Sequence, residues 1–169
     1  MEIIQKKICL LGDFAVGKTS LIRRFVNNEF SEKYLTTIGV HITKREVILN
    51  DSQVNLVIWD LAGDDLLHNI TEKYLKGASG FVIAADLTRE NTIANINKHI
   101  EMLANENYQI PMVIALTKND LLDEITSSEE IIKRNGVSAD YPVFSTSSKT
   151  GENVENMFSK LSKLLLEHR

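Results

Sequence analysis

Cysteine is nearly absent from this chain. Cys9 is the only one in 169 residues, so an internal disulfide is excluded. Its place in the apolar run Ile8-Cys9-Leu10-Leu11 suggests a small buried side chain rather than a nucleophile or ligand, and a reducing, cytoplasmic setting fits that usage. Proline is almost as scarce, with two, and the chain has no internal repeat and no low-complexity stretch. Nothing marks a linker, and one domain over residues 1–169 is expected. No Lys/Arg block exceeds the pairs Lys6-Lys7, Arg23-Arg24 and Lys44-Arg45, and the formal net charge is −4, which argues against nucleic acid as a partner. Those pairs read as solvated faces. Long apolar runs are also lacking: the stretch around Gly77 to Ala85 is too short to span a bilayer, and the charged start has no signal-peptide segment. Glu2 excludes the myristoylation pattern, and Leu166-Glu167-His168-Arg169 offers no cysteine to prenylate. A membrane is expected to be reached only through a partner or a missing tail. The four histidines, His41, His68, His99 and His168, lack ligand spacing and read as surface or edge residues.

What is present begins with Gly12-Asp13-Phe14-Ala15-Val16-Gly17-Lys18-Thr19, directly after the first apolar run and matching G-x-x-x-x-G-K-[ST]. Glycines at both ends let the backbone wrap an anion, with successive N–H groups and the start of a helix pointing inward. Lys18 would reach the β- and γ-phosphates and Thr19 a magnesium ion bridging them. Further apolar runs at Phe81–Ala85, Met112–Leu116 and Pro142–Phe144 are too uniformly apolar to have a wet face, which predicts buried parallel strands. Helical stripes separate them: Leu21, Ile22, Phe25 and Val26; Ile93, Ile96, Ile100 and Leu103; and Val154, Met157, Phe158, Leu161, Leu164 and Leu165. A hairpin is expected from Val40–Leu49 and Val54–Trp59 around Asn50-Asp51-Ser52, its first arm an edge strand with one exposed side. The fold class is α/β: a three-layer phosphate-loop sandwich whose six-stranded, mostly parallel sheet has one antiparallel edge strand, helices on both faces and ligand loops at the carboxyl ends of the strands.

The strand ends carry the remaining chemistry. Leu56-Val57-Ile58-Trp59 runs into Asp60-Leu61-Ala62-Gly63, where Asp60 suits a magnesium ion and Gly63 brings a bare N–H to a γ-phosphate. After Leu116 comes Thr117-Lys118-Asn119-Asp120. A carboxylate at Asp120 accepts both N–H donors of the guanine edge; adenine lacks that pair and would leave the carboxylate buried and unpaired. The stem of Lys118 can lie along the purine, and Ser145-Thr146-Ser147-Ser148-Lys149 is a polar loop able to reach the purine oxygen.

Together these segments resemble the Ras-like small GTPases, with a leaning to the Rab branch, over nearly the whole chain. The family motifs occur in order: Gly12 to Thr19, Thr37 within Tyr34-Leu35-Thr36-Thr37-Ile38-Gly39, Asp60 to Gly63, Thr117 to Asp120, and Ser147 to Lys149. The Rab leaning rests on Ile38-Gly39-Val40, Ile58-Trp59-Asp60 and Tyr74-Leu75-Lys76-Gly77-Ala78. The resemblance implies GTP and GDP with magnesium as ligands and a nucleotide site of Asp13, Phe14, Ala15, Val16, Gly17, Lys18, Thr19, Ser20, Phe30, Tyr34, Thr37, Asp60, Gly63, Thr117, Lys118, Asp120, Ser147, Ser148 and Lys149. It makes Thr19, Thr37 and Asp60 the magnesium group and assigns hydrolysis to Lys18, Thr37, Gly63 and Asp64. It also implies switch regions at roughly 29–39 and 61–77. Effectors, exchange factors and GTPase-activating proteins would then meet residues about 29–49 and 61–77.

Two positions depart from the family pattern. Phe14 replaces a small residue, and Asp64 replaces the glutamine that orients the attacking water, so slow hydrolysis is expected. Threonine at 117, where asparagine is usual, should leave guanine binding intact. Two other readings stay open: a scaffold that binds GTP without cycling, and a phosphate-loop enzyme acting on ATP or a small substrate, for which the chain leaves little room.

Overall fold

A computed structural model of the chain describes residues 1–33, 37, 39–61, 71–123, 125–138 and 140–168. Its strands are β1 (Glu2–Gly12), β2 (Val40–Leu49), β3 (Ser52–Leu61), β4 (Gly80–Asp86), β5 (Met112–Thr117) and β6 (Val143–Ser145). They form one sheet in the order β2-β3-β1-β4-β5-β6, with only the β2–β3 pair antiparallel. The helices are α1 (Lys18–Asn27), α2 (Thr71–Leu75), α3 (Glu90–Ala94), α4 (Ile96–Asn105), α5 (Ser128–Arg134) and α6 (Val154–Glu167).

Alternation along β1 feeds two cores. Ile8 and Leu10 face Leu21 and Phe25 of α1 and Met157, Phe158 and Leu161 of α6. Cys9 and Leu11 face Ile93 of α3, Ile96 and Leu103 of α4 and Ile131 of α5. Covered on both sides, β4 and β5 are buried at every position, which explains the apolar runs Phe81–Ala85 and Met112–Leu116.

Strand ends differ from the sequence expectation for pairing reasons. β1 starts at Glu2 rather than near Ile8, because residues 2–7 pair with β3 alone, and β4 joins only at the Ile8–Gly80 pair. A strand with a single neighbour needs no apolar run. β3 starts at Ser52, not Val54, because Ser52 pairs with Leu49 and leaves a two-residue turn in which Asn50 has φ 51°. The middle helix divides at Asn95 into α3 and α4 while its apolar stripe stays continuous.

The basic pairs are not simply solvated. Lys7 Nζ lies 3.7 Å from the centroid of the Trp59 ring and donates to the carbonyls of Tyr74 (2.6 Å) and Lys76 (2.8 Å), tying β1 to the end of α2. Arg45 stands 4.1 Å from the Phe25 ring and pairs with Glu155 at 3.0 Å, fastening β2 to α1 and α6.

Candidate functional site

The phosphate loop is shaped by its neighbours. A Cβ on Gly12 would lie 2.3 Å from the Ala84 carbonyl oxygen, so β1 can meet β4 there only with glycine. The backbone then turns through Ala15 (φ 60°) and Gly17 (φ 100°), and α1 starts at Lys18. Each carbonyl from 12 to 16 accepts a side-chain donor. Lys18 Nζ serves Gly12 (3.0 Å) and Asp13 (3.1 Å). Arg89 serves Phe14 (3.0 Å), Lys118 serves Ala15 (3.5 Å), and the Thr117 hydroxyl serves Val16 (2.5 Å). A trans peptide points its N–H opposite its C=O, so the N–H groups of Ala15, Val16 and Gly17 turn away from those last three donors, and all three residues line the cavity. This is an anion cradle built of peptide dipoles.

Beside it lies a cation corner. Thr19 Oγ1 is 2.7 Å from Thr37 Oγ1 and 2.5 Å from Asp60 Oδ2. Asp60 is buried, and its Oδ1 has no hydrogen-bond partner among the described residues. Burial pushes the Asp60 carboxyl up; the Thr19 hydrogen bond and the charge of Lys18 oppose this. Two hydroxyls and a carboxylate with an unpaired oxygen form an all-oxygen set that fits a small hard divalent ion such as magnesium. Among the described residues, no group of three His, Cys, Asp or Glu side chains could hold a metal.

The opposite end is framed by the loops after β5 and β6. Thr117 is buried, and its hydroxyl also donates to Ala85 O at 3.1 Å, so it struts the phosphate loop. Lys118, at φ 62°, sends Nζ to the buried Asp86 at 2.6 Å, a partner the sequence reading missed. Asp120 is exposed rather than buried, and its Oδ1 accepts from the Ser147 hydroxyl at 2.7 Å. The burial invoked against adenine is therefore not supplied by the protein around Asp120. From α1, Arg24 donates to the carbonyls of Ser148 and Lys149, both at 2.6 Å, and holds that loop in place.

These parts enclose a cavity of about 380 Å³ lined by Phe14, Ala15, Val16, Gly17, Lys18, Thr19, Ser20, Phe30, Thr37, Thr117, Lys118, Asp120, Ser148 and Lys149. Arg23, Glu29, Ser31, Glu32, Lys33, Leu61 and Leu121 join the wall without having been singled out as nucleotide contacts. Asp13, Asp60 and Ser147 are not part of the lining and act through neighbours that are. Tyr34, Gly63 and Asp64 lie outside the described residues. One histidine corrects the surface reading: His99 is 3 % exposed and meets Asp13 of the phosphate loop, whereas His41 and His168 are exposed and His68 lies outside the described residues. Residue type alone held no signal for Arg24, Asp86, Arg89 or His99; their roles rest on contacts far apart in the chain.

The comparisons with known proteins agree with this geometry. The Ras family model matches residues 7–167. Similar proteins include the Ras-related protein SEC4 of Saccharomyces cerevisiae, 32 % identical over 165 residues, covering 95 % of this chain and 75 % of the relative. The Ras-related protein RABE1d of Arabidopsis thaliana is 35 % identical over 162 residues, covering 93 % and 74 %. The Ras-related protein Rab7 of Drosophila melanogaster is 33 % identical over 166 residues, covering 95 % and 80 %. With the family model matching residues 7–167 and these relatives spanning nearly its whole length, the chain belongs to the Ras family, on its Rab-like side.

Proposed function

We propose that this protein is a guanine-nucleotide switch that binds GTP and GDP with magnesium, hydrolyses GTP slowly and presents its switch segments to partners in the GTP state. The observation that carries the reading is the bracing of the carbonyls of Phe14, Ala15 and Val16 by Arg89, Lys118 and Thr117, which turns the intervening N–H groups away from those donors in residues that line the cavity. In this reading, those N–H groups and Lys18 hold the β- and γ-phosphates and Ser20 closes the start of α1. Thr19, Thr37 and Asp60 would hold magnesium, which would supply positive charge to the bound phosphates. Asp120 takes the guanine edge, Lys118 and Phe30 flank the ring, and Ser147, Ser148 and Lys149 support its oxygen. Thr37 and Gly63 sense the γ-phosphate and Tyr34 covers it.

Slow hydrolysis follows from charge and bulk. Glutamine can donate to a phosphate oxygen while accepting from water; ionised Asp64 can only accept, and it adds negative charge beside an anion. Phe14 lines the cavity and is 39 % exposed, which puts bulk where an arginine of a partner would enter. That position also favours a second reading, a scaffold that binds GTP without appreciable hydrolysis. Partners would meet residues about 29–49 and 61–77. There the edge strand β2 exposes Ile42, which is paired in register with Trp59, and the Trp59 and Tyr74 ring centroids are 6.4 Å apart. No helix among the described residues is long and apolar enough to cross a membrane. The reading assigns a cytoplasmic protein without nucleic-acid partners that reaches membranes through a partner or a tail.

Two measurements on purified protein test this. Competition of ATP against bound GDP should fail to displace it, and equal affinities would overturn the guanine assignment. Single-turnover hydrolysis, with and without cell extract, separates switch from scaffold: a slow but measurable rate supports the switch, and no turnover in either condition supports the scaffold.

A further inference from the structure

Asp13 is joined to the helical layer by both of its carboxylate oxygens. Asn95 Nδ2 donates to Oδ2 at 2.6 Å, and His99 Nε2 lies 3.1 Å from Oδ1. Asn95 sits at the junction of α3 and α4, and His99 lies four residues further along, hydrogen-bonded through its backbone N–H to Asn95 O at 3.2 Å. One helical turn thus brings both donors to the same side. The carbonyl of Asp13 is held by Lys18, so this residue is fixed from the helix through its side chain and from the cavity through its backbone. We infer that His99 is a positioning residue for nucleotide binding: with Asn95 it clamps Asp13 and so sets the geometry of the phosphate loop from α4.

The chemistry of the pair defines the ring's state. An ionised carboxylate only accepts, so Nε2 of His99 must carry the proton. Nδ1 is buried and has no partner among the described residues; a proton there would be a buried, unsatisfied N–H, so the neutral Nε2–H tautomer fits. Burial lowers the tendency of the ring to charge, the bond to Asp13 and its negative charge oppose this, and Lys18 reinforces the lowering. A phenylalanine would fill the space without the donor, whereas a glutamine places an amide N–H near the position of Nε2.

The inference rests on the guanine-nucleotide reading, and its test keeps the two apart. His99→Phe, His99→Gln and Asn95→Ala would be compared with the wild type for release of a fluorescent GDP analogue in excess magnesium, with thermal melts to confirm folding. The expected result is release faster by on the order of tenfold in His99→Phe, largely restored in His99→Gln, with an intermediate effect in Asn95→Ala. Nitrogen-15 NMR of the histidine rings should show His99 as the neutral Nε2–H tautomer, remaining uncharged as the pH falls through the ordinary histidine range. Folded His99→Phe that releases nucleotide at the wild-type rate would overturn the inference. So would equal loosening by Phe and Gln, which would indicate packing alone, or a His99 ring that charges in the ordinary histidine range. A wild type that binds no guanine nucleotide would overturn the functional reading and the positioning role with it, while the tautomer would still report whether the clamp exists.

Discussion

The two ends of the cavity are held differently. At the base end, the loop after β6 is buried at Thr146, Ser147 and Ser148 and tied to α1 by Arg24, while Asn119 N donates to Thr146 O at 3.0 Å and joins it to the loop after β5. The connecting segment between α1 and β2 is held less firmly: residues 29–33 are all exposed, and its described contacts to the rest of the molecule include a Glu32–Lys149 ion pair at 3.4 Å, the bond from the Glu29 N–H to Arg23 O and the Thr37–Thr19 hydroxyl contact. Exposed ion pairs contribute little, typically under about 1 kcal/mol. Loops that identify a ligand benefit from being built in advance, because ordering them on binding costs affinity. Segments that report the state of a ligand need the reverse: an arrangement so weakly held that one phosphate decides it.

That contrast can be attacked from either end. The largest effect should come from Asp120→Asn, which exchanges an acceptor-only group for a mixed one. GTP affinity should fall by on the order of a thousandfold or more, with preference moving toward xanthine nucleotides, read by competitive calorimetry. Retained GTP preference would remove Asp120 from the base end. Next, Thr117→Val deletes the hydroxyl that holds the buried Val16 and Ala85 carbonyls while keeping the shape; the melt should show a loss of about 1–3 kcal/mol, accompanied by weaker binding of GDP and GTP alike.

On the other side, Phe14→Gly combined with Asp64→Gln should raise single-turnover GTP hydrolysis by about tenfold, equivalent to ~1.4 kcal/mol, with Asp64→Gln alone giving less and GTP affinity little changed. A wild-type rate already equal to that of the double variant would dismiss the argument from charge and bulk. Thr37→Ala should cost GTP affinity about fivefold, near 1 kcal/mol, and leave GDP almost untouched, in contrast with the even-handed loss from Thr117→Val. Equal losses for both nucleotides would erase the distinction between the ends. The smallest effect is expected from Ala15→Gly: at φ 60° an alanine pays the left-handed penalty of about 1 kcal/mol, offset in part by the greater freedom of glycine when unfolded, so the melt should show a gain of a few tenths.

Much of this protein could be read along the chain because the relevant chemistry is local. Gly12 to Thr19 is a run in which spacing alone specifies the loop, and the apolar β4 and β5 announce burial on both faces. Asp60, Asp120 and Ser147 were singled out because each lies at or just beyond the carboxyl end of a strand, where an α/β sheet places its ligand loops. Local order could not disclose which donors brace the loop. Arg89 reaches Phe14 across 75 positions, Thr117 reaches Val16 across 101, and Arg24 reaches Ser148 across 124. His99 looked like a surface residue because a lone histidine carries no periodic signal, yet packing buries it against Asp13, 86 positions away. The exposure of Asp120 and the one-sided pairing of residues 2–7 are likewise products of assembly. Sequence by itself determined which groups are proposed to meet phosphates, cation and base, because those groups sit on short motifs at strand ends; tertiary structure alone decided what holds them still, because a buried hydrogen bond depends on the partner that folding delivers and not on neighbours in the chain.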